Sequence, residues 1–324
     1  MSVLIPATQR RSLDTLRDSL ELDYGESGAK RSAYWSMLTL SGFIAVAGVL
    51  ADSTAAVIGA MIIAPLSTPI LAVGLGIVVG DAAMVGRSLL YVAASVVAVV
   101  AIGFGISSML PDPTDALANS QIEGRTSPTI MDLIAAIATG FAGAIAATRR
   151  DVGTVLPGVA IAISLVPPLG VMGVCFGDGN PFLALGAFVL FLSNVVVLVV
   201  ASILVFKIGG YFQEAEVAAE PSWRRRAYPV LAAVFVAVAI PIGLNSMTAL
   251  WSSQIEAAAE NWSDAYVDEV SWQAHKVVIE VRSPDDLPPV EELQEAVDKL
   301  VFLHPEVVLV HTVGERVTVE TAGR

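Results

Sequence analysis

The sequence predicts an α-helical polytopic membrane protein of about seven spans, with a 3+3 inverted repeat and a small α+β domain at the C-terminal end. Three observations predict it. Of 324 residues, 55% are hydrophobic, and mean hydropathy is +0.71. The apolar residues lie in uninterrupted runs such as Leu89–Ile106 and Phe182–Phe206, and about eighteen such residues cross the roughly 30 Å hydrocarbon core as a helix. Basic residues also alternate between successive connections, as they do when lysine and arginine stay on the cytoplasmic side.

Residues 1–33 carry five acidic and five basic residues and no apolar stretch of the kind a cleavable signal peptide needs. They read as a cytoplasmic segment. Leu13, Leu16 and Leu20 share one face if Ser12–Leu22 is helical, which suits an interfacial helix or one docked on the bundle. The spans read as 34–50, 55–79, 88–110, 130–147, 152–176, 181–206 and 227–250, with 111–128 as an irregular polar excursion. With the N-terminus inside, the cytoplasmic connections hold Arg87, Arg149, Arg150, Lys207 and Arg224, Arg225 and Arg226; the opposite ones hold only Arg125. The expected location is the plasma membrane, multi-pass, with the C-terminal domain outside the cytoplasm.

That domain, 251–324, holds fifteen acidic and five basic residues, so it supplies −10 of the chain's net −13. Such a charge excludes nucleic acid as a partner. Residues 251–264 extend the last span as a helix, with Trp251 and Trp262 near the interface. A strand over Lys276–Arg282, a helix over Pro288–Leu303, and strands over Val307–Val313 and Arg316–Glu320 make a β-α-β-β unit.

Residues 34–108 and 131–206 resemble each other. Ser41-Gly42-Phe43 matches Thr139-Gly140-Phe141, and each middle span carries a proline break, at Pro65/Pro69 and at Pro167/Pro168. Each then ends in Gly-x-x-x-Gly-Asp, at Gly76–Asp81 and Gly173–Asp178. Three spans per unit is odd, so the second unit enters the bilayer from the opposite side, with Asp81 and Asp178 at opposite mouths. Inverted repeats with interrupted helices commonly hold a transport site at the breaks.

A proline lacks the amide hydrogen and clashes with the carbonyl four residues earlier. Pro65 and Pro69 thus release the carbonyls of Met61 and Pro65; Pro167 and Pro168 release those of Ile163 and Ser164. Released carbonyls must face protein, water or a ligand. Ser67, Thr68 and Ser164 add hydroxyls beside the breaks, and Asn194 adds an amide, although a lone amide in a span more often bonds a neighbouring helix. Prolines in spans also act as plain kinks; their pairing in both repeats favours a pathway.

The segment from Ile58 through Ala64-Pro65-Leu66-Ser67-Thr68-Pro69 to Gly80-Asp81 resembles the signature of a bacterial and archaeal family, the uncharacterised hydrophobic domain of unknown function 389. Ser164–Gly173 is similar to its second motif. The resemblance covers roughly residues 34–206 and implies a prokaryotic integral membrane protein. It implies no activity and no site residue.

The expected function is a transporter or channel for a small solute or ion, working as a homo-oligomer in the bilayer without a cofactor. The alternative is a non-transporting envelope sensor or scaffold acting through the external domain. No enzyme is expected: His-Glu-x-x-His and Gly-x-Ser-x-Gly are absent, and His275, His304 and His311 all lie in the tail and read as surface groups rather than metal ligands.

Overall fold

The computed structural model describes residues 5–110, 119–152, 165–215, 221–263, 266–273, 276–283, 287–301 and 305–312. The helices run in order as α1 (Leu13–Leu20), α2 (Ser27–Leu50), α3 (Thr54–Ile63), α4 (Ser67–Val79), α5 (Ala82–Ser107), α6 (Ser120–Thr126), α7 (Ile130–Thr148), α8 (Val166–Gly177), α9 (Pro181–Ile208), α10 (Tyr211–Ala215) and α11 (Pro221–Ser263). The chain divides into two compact units, Met1–Gly243 and Leu244–Arg324.

Among the described residues, α2, α5, α7 and α9 are each long and apolar enough to cross a membrane. The pair α3 and α4 makes a fifth such segment, bent by 46° at its break. The first and third expected spans therefore begin earlier than the hydropathy runs suggested, at Ser27 and Ala82. Most of the first half of the fifth, 153–164, lies outside the described residues. The seventh falls inside α11, where the apolar stretch is the shorter Tyr228–Ala237. Large apolar side chains face outward from the first unit, with Leu90 and Val97 on α5 70% and 68% exposed. A helix apolar on every side is compatible with a lipid surround.

Helix ends are set by local chemistry. Asp81 starts α5 by accepting the Met84 amide at 2.9 Å. Gly80 ends α4 in the left-handed region (φ 78°), its amide bonded to Gly76 O, a conformation that costs glycine nothing. The region 111–128 is less irregular than its composition suggested. Asn119 accepts from the Gln121 and Ile122 amides and starts α6, whose one large apolar residue, Ile122, is fully buried. A single apolar residue gives no period to detect.

Packing in this unit is reciprocal. The half-helix α4 packs on α5 and on α9, and the half-helix α8 packs on α9 and on α5. The short α1 lies on α4, and the short α6 lies on α8. Glycines permit the closest of these approaches. A Cβ on Gly173 would stand 2.5 Å from Val100 O and 2.9 Å from Gly103 Cα, and one on Gly177 would stand 2.7 Å from Ser107 Cβ. The Gly-x-x-x-Gly of α8 is thus the face that meets α5.

The second unit holds β1 (Tyr266–Gln273), β2 (Lys276–Arg282), α12 (Val290–Leu300) and β3 (Glu306–Thr312). The sheet order is β1-β2-β3, with β1 antiparallel and β3 parallel to β2. Ile255 and Ala259 of α11 join Val277, Ile279, Val281, Leu293 and Val297 in its core. The first strand is a correction to the sequence reading. Its register slips between Val267 and Glu269, so Val267 and Val270 both pack on the core at a spacing of three, and the bulge hides the period of two. The expected strand at Arg316–Glu320 lies outside the described residues, as do His275 and His304.

The close contact of α5 with α8 gives a direct test. Gly173→Ala is expected to destabilise the protein by about 1–3 kcal/mol, the range for overpacking. Gly105→Ala, on the same helix as Gly103 but with nothing within 4 Å of the added Cβ, is expected to be neutral or slightly stabilising. Thermal unfolding of the two variants in detergent reads the difference.

Candidate functional site

At the first break, α3 ends at Ala64 in an extended conformation (φ −69°, ψ 118°) and α4 begins at Ser67. Two nearby carbonyls have partners. The Ser41 hydroxyl donates to Ala60 O at 2.8 Å, and the Thr68 amide donates to Pro65 O at 3.1 Å. Ser41 belongs to the repeated Ser-Gly-Phe motif. Its counterpart Thr139 instead bonds Ala135 O and Ala136 O of its own helix, so the two copies differ here.

Met61 is buried and packs with Val171, Val174 and Cys175. Pro69 is buried in the first turn of α4, while Ser67 and Thr68 are half-buried. At the second break, Pro167 and Pro168 occupy the first turn of α8, where a missing amide hydrogen costs least. Ile163 and Ser164 lie outside the described residues. Asn194 is buried on α9. Leu66 and Ile70 from one break, and Leu165, Val166 and Leu169 from the other, belong to one apolar cluster. The two breaks therefore share a packed apolar core.

The expected mouths lie at the two ends of α5. Asp81 caps its start, and Asp178 accepts from the hydroxyl of Ser107 at its end. Twenty-six helical residues separate them by about 39 Å, enough to traverse the hydrocarbon core with a margin. The second carboxylate oxygen of Asp178 is buried with no hydrogen-bond partner among the described residues.

The Asp81 end carries a polar cluster that only the structure reveals. Arg17 on α1 reaches Asp81 Oδ2 at 2.6 Å and Glu21 Oε2 at 2.7 Å. Arg87 on α5 reaches Glu21 Oε1 at 2.7 Å, so Glu21, 4% exposed, is held between two guanidinium groups. Tyr91 donates to Asp23 at 2.8 Å. Upstream, Arg10 lies over the Tyr211 ring at 3.9 Å, pairs with Glu214 at 2.6 Å and donates to Gly209 O. Arg11 bonds Thr148 O through its amide. Residues 9–23 thus form a strap tied to α4, α5, the end of α7 and the α9–α10 corner. Beneath it lies a cavity of about 540 Å³ lined by Asp14, Arg17, Tyr24, Gly80, Asp81 and Glu214 among others. Burial pushes the Asp81 carboxyl up, but the Met84 amide, Arg17 and Arg87 together hold it below its ordinary value. For Arg17, burial lowers and the carboxylates of Glu21 and Asp81 raise, with a net rise.

Residues 61–200 match the family model described as a domain of unknown function, DUF389. The DUF389 match runs from the last turn of α3 into α9, so it includes the first break, Asp81, Asp178 and Asn194, and leaves out the strap. An uncharacterized protein of Methanocaldococcus jannaschii is 34% identical over 174 residues, 54% of this chain and 53% of that relative. The chain thus spans about half the length of that curated relative. No solved structure matches.

Of the residues expected at the site, Asp81 lines a cavity, while Met61, Pro69 and Asn194 are buried in packed helices. Arg17, Glu21, Arg87 and Ser41 were not anticipated. Only the Arg17–Glu21 spacing of four residues marked a possible pair in the sequence.

The strap's attachment is expected to depend on pH with a definite sign. Asp81 has a lowered folded pKa, so its contribution is complete above the ordinary carboxylate range near pH 4 and is lost as pH falls through the lower folded value. Asp81→Asn keeps a good cap but removes the charge. Amide protection over residues 13–22 at neutral pH is expected to fall about two- to fivefold in that variant, the range of a solvent-accessible pair, and to lose the part of its acid dependence that Asp81 carries.

Proposed function

We propose that this chain is a multi-pass membrane protein that moves a small solute or ion by rearranging two inverted three-span units around their broken helices. The observation that carries the proposal is the reciprocal packing of the half-helices: α4 on α5 and α9, α8 on α9 and α5. Two related units placed head to tail exchange contacts in this way. The 46° bend at Pro65 supports it, as does the placement of Asp81 and Asp178 at opposite ends of α5.

The arrangement suits a closed state. Leu66, Ile70, Leu165, Val166 and Leu169 flank the breaks within one packed apolar cluster, and a hydrated ion passes such packing only when the half-helices move. A half-helix hinged at a proline has fewer ladder hydrogen bonds to break, and two carbonyls beside the hinge, Ala60 O and Pro65 O, have partners outside the α-helical ladder. The strap with its cavity covers one end, and α6 covers the other. Loop charges support a cytoplasmic N-terminus and, with seven spans, an external C-terminal unit.

Flux measured in proteoliposomes against broad panels of ions and small solutes tests the proposal. The wild type is expected to pass at least one of them faster than protein-free vesicles do. Pro65→Ala/Pro168→Ala is expected to slow that flux about tenfold, the effect of roughly 1.4 kcal/mol on a barrier. Equal leak in loaded and empty vesicles across every panel would overturn it.

A further inference from the structure

An apolar groove of about 590 Å³ runs along the outside of the first unit between α4, α5, α9 and α11, walled by Ile77, Leu89, Val196, Val199, Leu231 and Val234. It is distinct from the strap cavity and from the breaks. Its position along the helices is fixed by their ends. Ile77 stands three residues before Gly80, where α4 stops, and Leu89 stands two turns into α5. The groove therefore opens near the end of the bundle that carries Asp81 and runs inward from it.

Lys207 lies at its foot. It follows Val196 by eleven residues, a near-whole number of helical turns, so the two share a face of α9 about 16 Å apart. That distance is about half the hydrocarbon thickness, the depth of one leaflet. The Lys207 ammonium stands 5.2 Å from the centre of the Tyr228 ring on α11, three residues before Leu231 on the wall. It is exposed, and among the described residues no carboxylate is paired with it. Three other cations at this end are paired: Arg10 with Glu214, Arg17 with Asp81 and Glu21, and Arg87 with Glu21.

We propose that this groove holds an acyl chain of an anionic phospholipid from the cytoplasmic leaflet, with Lys207 at its phosphate. An apolar slot one leaflet deep with an uncommitted cation at the headgroup level matches a lipid at both of its ends. Basic positions between spans on the cytoplasmic side attract anionic headgroups, and the Tyr228 face keeps the ammonium at the interface. A second copy of the chain would fill the slot but would bring another Lys207-bearing surface rather than a negative charge. The inference needs the chain to sit in a bilayer, as proposed above, but does not need it to transport.

The full chain, purified in detergent and mixed with equal phosphatidylglycerol and phosphatidylcholine of the same acyl composition, tests this by native mass spectrometry. The wild type is expected to retain one phosphatidylglycerol with at least about threefold preference, comparable to the effect of one basic residue at a membrane surface. Lys207→Glu is expected to bring the preference to parity and Lys207→Arg to keep it. Leu89→Trp, at a half-exposed wall position, is expected to lower retention of both lipids. Absence of a preference in the wild type, or an unchanged preference in Lys207→Glu, overturns the site. So does a dimer that dissociates in Leu89→Trp without any lipid signal, which assigns the groove to a second copy. In a parallel reconstitution, failure of the detergent-purified chain to enter vesicles of either lipid overturns the membrane reading itself; absence of preference in a chain that enters them overturns the lipid site alone.

Discussion

The contact of α5 with α8 is what the rest of the first unit depends on. Gly103 and Gly173 let the two helix backbones meet without side chains between them, and close backbone approach is the main attraction available to helices in an apolar surround. Once α8 lies on α5, Asp178 is brought under the Ser107 hydroxyl, and the turn after Asp178 directs α9 back through the bundle. α9 then covers α4, whose Gly74 faces Ser202. A larger residue at Gly173 would push α8 outward and weaken each of these later contacts.

The strap raises a different question of energetics. Glu21 is almost fully buried between Arg17 and Arg87. Removing a carboxylate from water costs several kcal/mol, and its partners often do no better than break even. Such a cluster therefore contributes little net stability compared with an apolar substitute. Its physical consequence is placement: α1 must sit where Glu21 meets Arg87 and Arg17 meets Asp81 while Leu16 and Leu20 stay buried. The apolar face supplies attraction, and the charges select the register.

Much of this was legible in the sequence because it rests on period and composition. The runs around α2, α5, α7 and α9 announce themselves, and so does the break, since Pro65 forbids a continuous ladder. The Gly173/Gly177 spacing was legible as part of the repeat, although the helix it packs on was not. What the sequence hid depends on distance in the chain. The Arg17–Asp81 and Arg87–Glu21 pairs join residues 64 and 66 positions apart, and nothing local marks them. Ser41 was visible as part of a repeated motif, but not as the donor that satisfies Ala60 O. The bulge in β1 changed the spacing of its apolar residues from two to three, which removed the strand signal.

The two ends of the bundle are closed by different chemistry, and the difference bears on which end yields first. At the Asp81 end the strap is held by ion pairs, of which the partly exposed Arg17–Asp81 pair is open to weakening by salt and acid. At the Asp178 end α6 is held by a mostly neutral network. Asn119 donates to Val49 O, Ser120 and the Gln121 amide bond Asp52, and Gln121 reaches Thr54. Arg125 is partly buried beside Gln121, and burial pushes its guanidinium below its ordinary value. Neutral hydrogen bonds around a buried Ile122 respond little to ionic strength. On the transport reading, the strap end is the one that the medium can loosen, and the α6 end follows only when the half-helix α8 beneath it moves.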